Sequence, residues 1–220
     1  MRELAAELDF KEVYDHFNTR LEVHEKINDD LKTLMALEGK DNFEFKRKQF
    51  VNYILGVTTC DANYSADSSK RFGGGGKAIL ADNMNAYGQV YALEKSLLTL
   101  EQKDLPSKIK GSKIFMLGLG TGSEMACLLR PDTFWVTNKR TYWVKLLAER
   151  GLSYANEVTE LHTENALKVW YTEHHLVGSS LVKLTECIAK ENLPENENLS
   201  QHYYLFADCL ATSLYDNNYY

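Results

Sequence analysis

The chain has 220 residues, 44% of them hydrophobic and 25% charged, an ordinary globular composition with enough apolar mass for one sizeable core. Its formal net charge of −6 argues against a broad nucleic-acid-binding surface, and no apolar run is long enough to span a bilayer. The start, Met-Arg-Glu-Leu-Ala-Ala-Glu-Leu-Asp, is too acidic for a signal peptide. Cys60, Cys127, Cys187 and Cys209 show no metal or redox spacing, so reduced thiols in a cytoplasmic compartment are expected.

From Leu4 to Leu37, apolar residues recur at three- and four-residue steps: Phe10, Val13, Phe17, Leu21, Ile27, Leu31 and Leu34. The spacing predicts a long helix, with Gly39 beyond its end. Phe10, Phe17, His24 and Leu31 also fall on a heptad line, so a homodimer through this N-terminal helix is an alternative to packing on the domain. Asp41-Asn42 can cap a second helix carrying Phe43, Phe50, Ile54 and Leu55. Lys46-Arg47-Lys48 on that helix reads as a solvated face. Residues 57–77 then form a long connection ending in Gly73 to Gly76 and Lys77. It departs from a P-loop, because no strand precedes it and Ala78 stands where Ser or Thr belongs. It reads as a flexible linker, or as a lid bringing Lys70, Arg71 and Lys77 to an anionic group. Asp82-Asn83 can cap a third helix, with Tyr87, Val90, Tyr91, Leu93, Leu97 and Leu98 apolar.

The second half begins with Lys113-Ile-Phe-Met-Leu-Gly-Leu-Gly-Thr-Gly-Ser-Glu124. An apolar run meeting three glycines and then Met125, Ala126, Leu128 and Leu129 predicts strand, glycine turn and helix, the opening of a nucleotide-binding α/β unit. Further strands are expected over Thr133–Thr137, Glu157–His162 and Tyr203–Ala207. Between them, helices are expected over Lys139–Arg150, from Thr163, and from a Ser179-Ser180 cap. The expected fold is therefore α/β. Residues 1–110 form a helical N-terminal region with the flexible loop at 57–77, and residues 111–220 form a Rossmann-like core, a parallel sheet with helices on both faces. Right-handed crossovers would bring Gly118 to Gly122, Asn138, Glu164 and Asp208 to one sheet edge.

Leu117-Gly118-Leu119-Gly120-Thr121-Gly122, the segment ending near Asn138, Glu164-Asn165-Ala166 and Tyr204-Leu205-Phe206-Ala207-Asp208 together resemble the class I S-adenosylmethionine-dependent methyltransferases, over roughly the last half of the chain. The resemblance implies a methyltransferase that binds S-adenosylmethionine. Gly118, Gly120 and Gly122 would approach its methionine part, Asn138 the ribose, and Glu164 and Asn165 the adenine. Asp208 would line the substrate side as the catalytic residue. Two positions depart from that family's pattern. Met116 replaces an acidic residue before the glycines, and the uncharged Asn138 replaces a carboxylate. The Leu-Gly-Leu-Gly turn also looks like that of the motility-accessory-factor glycosyltransferases, which handle a nucleotide-linked sugar. A non-catalytic Rossmann-like interaction protein is the third reading. No metal is expected, since His174-His175 lacks further ligands at metal spacing.

Overall fold

A computed structural model describes residues 8–58, 75–81, 85–159, 164–192 and 197–219. Among these residues there are helices and connections and no strand. The helices are α1 (Phe10–Ala36), α2 (Phe43–Ile54), α3 (Gly75–Ala81), α4 (Ala86–Leu97), α5 (Leu105–Ser112), α6 (Leu119–Leu129), α7 (Lys139–Arg150), α8 (Leu152–Thr159), α9 (Glu164–Asn192), α10 (Glu197–Gln201) and α11 (Tyr203–Asn218), with a 3₁₀ turn at Gln102–Asp104. The expected Rossmann-like parallel sheet is thus corrected to an all-helical fold. The resemblance to the class I methyltransferases falls with it, since that family is built on the sheet.

α1 organises the molecule. The Asp9 carboxylate caps it by accepting from the Lys11 and Glu12 N–H groups. Its inward stripe is Val13, Phe17, Arg20, Val23, Ile27, Leu31 and Leu34; the periodicity predicts five of these but not Arg20 or Val23, and the expected Phe10 and Leu21 are only partly buried. The stripe is covered by the chain's own α2, α6 and α11. The last carbonyls of α6 are bonded from α1. The His24 Nδ1–H donates to Leu128 O (2.7 Å), and the Asn28 amide donates to Leu129 O (3.3 Å). The Arg130 guanidinium closes α4 in the same way, donating to Leu97 O and Leu100 O at 3.2 and 2.9 Å. α7 packs on α8, α9 and α11, and one hydrophobic core runs from Leu8 to Tyr215.

Each expected strand fails for a local reason. Over 113–117, Lys113 and Met116 adopt left-handed φ of 52° and 61°. Leu117 N–H donates back to Ile114 O at 3.2 Å. Ile114 and Leu117 are buried while Phe115 and Met116 are exposed, which is the in-out-out-in pattern of a turn. Residues 133–137 leave a turn in which the Thr133 and Phe134 N–H groups donate to Arg130 O at 3.0 and 2.9 Å, and they pair with no strand among the described residues. Thr137 N–H donates to the Ser123 hydroxyl (2.8 Å) and the Trp135 indole to His174 O (2.8 Å), so side chains and turns satisfy a buried connection. Residues 157–159 end α8, and the rest of that expected strand lies outside the described residues. Tyr203–Ala207 opens α11, where the apolar run continues through Leu210, Ala211 and Leu214 without a breaker. A short apolar run of this kind reads equally as strand or buried helix.

Residues 59–74 of the expected loop lie outside the described set, and its last residues, Gly75 to Lys77, begin α3. The expected break at Ser179-Ser180 is also absent. Their hydroxyls donate to the carbonyls of His175 (3.1 Å) and Leu176 (3.0 Å), four residues back, so α9 runs on as one helix of 29 residues.

Candidate functional site

Three charged side chains meet in the interior where α1, α6 and α11 converge. The Arg20 Nη1–H donates to Glu124 Oε1 at 2.6 Å, and Nη2 lies 3.4 Å from Asp208 Oδ2. Arg20 and Glu124 are fully buried, and the Asp208 side chain is 5% exposed. Each residue falls on the inward face of its helix, so helical periodicity alone brings the three together. The contacts are unequal. The short one to Glu124 is a charge-assisted hydrogen bond, whereas the contact to Asp208 exceeds the usual hydrogen-bond range. Asp208 Oδ1 is buried with no hydrogen-bond partner among the described residues.

Burial pushes the Asp208 carboxyl up to about 7, against the downward pull of Arg20, with Glu124 adding to the rise and Arg140 to the pull. Cys127 and Cys209 adjoin the cluster. Burial is the first cause that raises both thiols, so they stand as thiols and not as thiolates.

A cleft of about 230 Å³ opens one helical turn away. Its lining is Glu12, Val13 and His16 from α1, Arg140 from α7, and Thr212, Ser213, Asp216 and Asn217 from α11. His16 precedes Arg20 by four residues and Thr212 follows Asp208 by four, about 6 Å along each helix axis. Arg140 connects the two places, because it lines the cleft and also acts on the Asp208 carboxyl. Its side chain is 24% exposed, and its ion pair with Asp216 spans 3.7 Å, too long for a hydrogen bond. A guanidinium offers five N–H donors in a fixed fork that suits a carboxylate. Arg140 also sits in the first turn of α7, at the positive end of the helix dipole.

A larger cleft, about 380 Å³, lies between α1 and α2, lined by Lys26, Asp30, Lys46, Gln49, Tyr53 and Thr58 among others. Lys26 there is already held by Asp30 at 2.6 Å, with its ammonium 4.8 Å from the centre of the Tyr53 ring. No buried charge lies among the lining residues.

The residues singled out from sequence are scattered over this fold. Gly118 caps the start of α6, and Gly120 and Gly122 are inside it. Gly122 has a packing reason. A Cβ there would lie 2.8 Å from Ile109 Cδ1, so the glycine lets α5 and α6 approach. Asn138 caps α7 in a capping box, its Oδ1 accepting from the Arg140 and Thr141 N–H groups at 2.9 and 3.1 Å. Glu164 and Asn165 begin α9, and their side chains lie outside the described set. Asp208 alone reaches the charged cluster. Arg20 and Glu124 were missed, and the signal for Arg20 was its place on the apolar stripe of α1.

His174, considered from sequence only as a metal ligand, is a satisfied core residue. It stacks on Trp135 at 4.9 Å between ring centres, with Nδ1 2.6 Å from the Thr137 hydroxyl and Nε2 2.8 Å from the Gln102 amide nitrogen. That amide can only donate, so Nε2 accepts, Nδ1 carries the hydrogen, and the ring is neutral. Burial pushes its pKa down to about 4. Among the described residues no group of three or more His, Cys, Asp or Glu side chains could hold a metal ion, and no helix is long and apolar enough to cross a membrane. No protein-family model, no curated protein and no solved structure matches this chain.

Proposed function

We propose that this protein binds a small hydroxy- or amino-carboxylate in the cleft between α1, α7 and α11. The observation that carries the reading is Arg140: a three-quarters-buried guanidinium on a cleft wall, with its ion pair to Asp216 stretched to 3.7 Å. A ligand carboxylate offers that fork the close acceptor that Asp216 does not. The ligand's hydroxyl or ammonium then meets Glu12 or Asp216 on the same walls, and Thr212, Ser213 and Asn217 supply neutral partners. At about 30 Å³ per water, 230 Å³ holds the volume of about eight waters, which limits the ligand to something below drug size.

The test is an amide ¹H–¹⁵N titration with glycolate and with L-serine, each in millimolar excess, on the wild-type chain and Arg140→Gln. Shifts confined to Thr212, Ser213, Asn217 and the start of α7, and lost in Arg140→Gln, are expected. Shifts elsewhere, or none with either compound, would overturn the reading.

A further inference from the structure

We propose that a ligand carboxylate seated on Arg140 is bound together with a proton, which Asp208 takes up. This rests on the ligand reading above and adds how the site is regulated. Asp208 lies one helical turn below the cleft, with one oxygen unpartnered in the interior. That oxygen is ready to carry a hydrogen, because no described group donates to it.

The charges that face Asp208 are few. Arg20 comes from α1, Glu124 and the neighbouring Cys127 from α6, Arg140 from α7, and Cys209 from α11 itself. α9 and α10 also pack on α11, and no charged group among their described side chains acts on Asp208. Arg20 is shared between Glu124 at 2.6 Å and Asp208 at 3.4 Å, its pull on Asp208 exceeds the push of Glu124, and Arg140 adds a further, smaller pull. Arg140 is the one cation of this set that a ligand can reach. An anion on it removes the Arg140 share of the attraction that keeps Asp208 ionised, and the carboxyl then holds a proton from solvent to higher pH. No covalent bond changes; one proton moves from water to Asp208 Oδ1. By linkage the converse holds, and protonating Asp208 strengthens binding of the carboxylate.

The direct readout is the pH midpoint of the Asp208 side-chain ¹³C carboxyl resonance, followed with and without glycolate in wild type and in Arg140→Gln. Three results are expected. Glycolate raises the midpoint in wild type. Arg140→Gln raises it without any ligand. Glycolate has no further effect in that variant. A rise of one unit means that glycolate binds about tenfold tighter below both midpoints than above both. A midpoint that stays put while the Thr212 and Ser213 amides report bound glycolate would overturn the proton coupling and leave the ligand reading standing. Absence of those amide shifts would overturn both. An unmoved midpoint in Arg140→Gln would overturn the coupling whatever glycolate does.

Discussion

The Arg20 guanidinium donates to Glu124 at 2.6 Å with both side chains fully buried. Two charges out of water are tolerable only as a pair, and the pair is not itself a large source of stability. Removing one partner is therefore much worse than removing both. Arg20→Met is expected to cost about 3–5 kcal/mol, because Glu124 and Asp208 are left buried without a cation. The double variant Arg20→Met/Glu124→Met should recover most of that loss. Urea unfolding of both variants and of Glu124→Met measures the coupling directly. Additive losses would mean that the two side chains do not interact in solution.

Glu94 poses the opposite problem. It is fully buried on α4, and neither carboxyl oxygen has a hydrogen-bond partner among the described residues. Burial alone raises its pKa well above the ordinary value, so the group is a neutral acid inside the protein. Glu94→Met keeps the shape and removes the orphaned atoms, and a gain of about 1–3 kcal/mol is expected. The pH dependence has a definite sign. A carboxyl whose folded pKa is raised gives its full contribution below its unfolded pKa and loses it as pH rises towards the folded value. Asp208, pushed up to about 7, acts in the same direction over the window from 3.8 to 7. The stability of wild type should fall across that window, and Glu94→Met/Asp208→Asn should flatten the fall. Guanidinium unfolding at several pH values checks this, and an unchanged slope in the double variant would refute it.

The helical part of the fold was legible where caps and periodicity agree. Most of the inward stripe of α1 and the span of α7 follow from periodicity, whereas Asn138, expected at a ribose, caps α7. The strands were not legible as helix or turn, because four or five apolar residues carry no period. What decides Ile114 to Leu117 is the pair of left-handed residues around it, and what decides Tyr203 to Ala207 is the sixteen-residue helix it belongs to. The glycine pattern misled for a physical reason. Close approach of backbone to a phosphate and close approach of helix to helix make the same demand, a missing Cβ. Of the candidate site, Asp208 stood out only through a sheet edge that does not exist. Arg20 was visible as a charge on an apolar stripe, a pattern that asks for a buried partner but does not name one.

His174 titrates in the opposite sense to Asp208 and Glu94. Its pKa is pushed down to about 4 from an ordinary 6.5, chiefly by burial and then by the neighbouring His175. At this side chain the folded state therefore binds fewer protons than the unfolded state between those values, and its own contribution to stability falls as pH drops from 6.5 towards 4, against the opposite slope of Asp208 and Glu94. Protonation would also set an N–H against the Gln102 amide nitrogen, 2.8 Å away. His174→Gln should lower the melting temperature at pH 7, through lost stacking on Trp135, and by removing the opposing contribution should make stability fall more steeply than in wild type as pH rises from 4 to 6.5. Melting curves from pH 4 to 7 compare the two slopes. Equal slopes would mean that His174 does not titrate differently in the folded and unfolded states.

Gly122 separates the two readings of the glycine motif. It lies inside α6, where alanine is favoured over glycine by about 1 kcal/mol. The Cβ would meet Ile109 Cδ1 at 2.8 Å and Cγ1 at 2.9 Å, and overpacking of that kind costs about 1–3 kcal/mol. Gly122→Ala alone should therefore be between neutral and about 2 kcal/mol destabilising. In an Ile109→Ala background the clash is gone, and the same substitution should become stabilising by about 1 kcal/mol. At Gly118 a Cβ meets nothing within 4 Å, and this residue is the N-cap of α6. Gly118→Ser should add a few tenths of a kcal/mol by supplying a capping oxygen. Chemical unfolding of the four variants gives the signs. A Gly122→Ala penalty that survives in the Ile109→Ala background would show that something other than the α5–α6 contact requires the glycine.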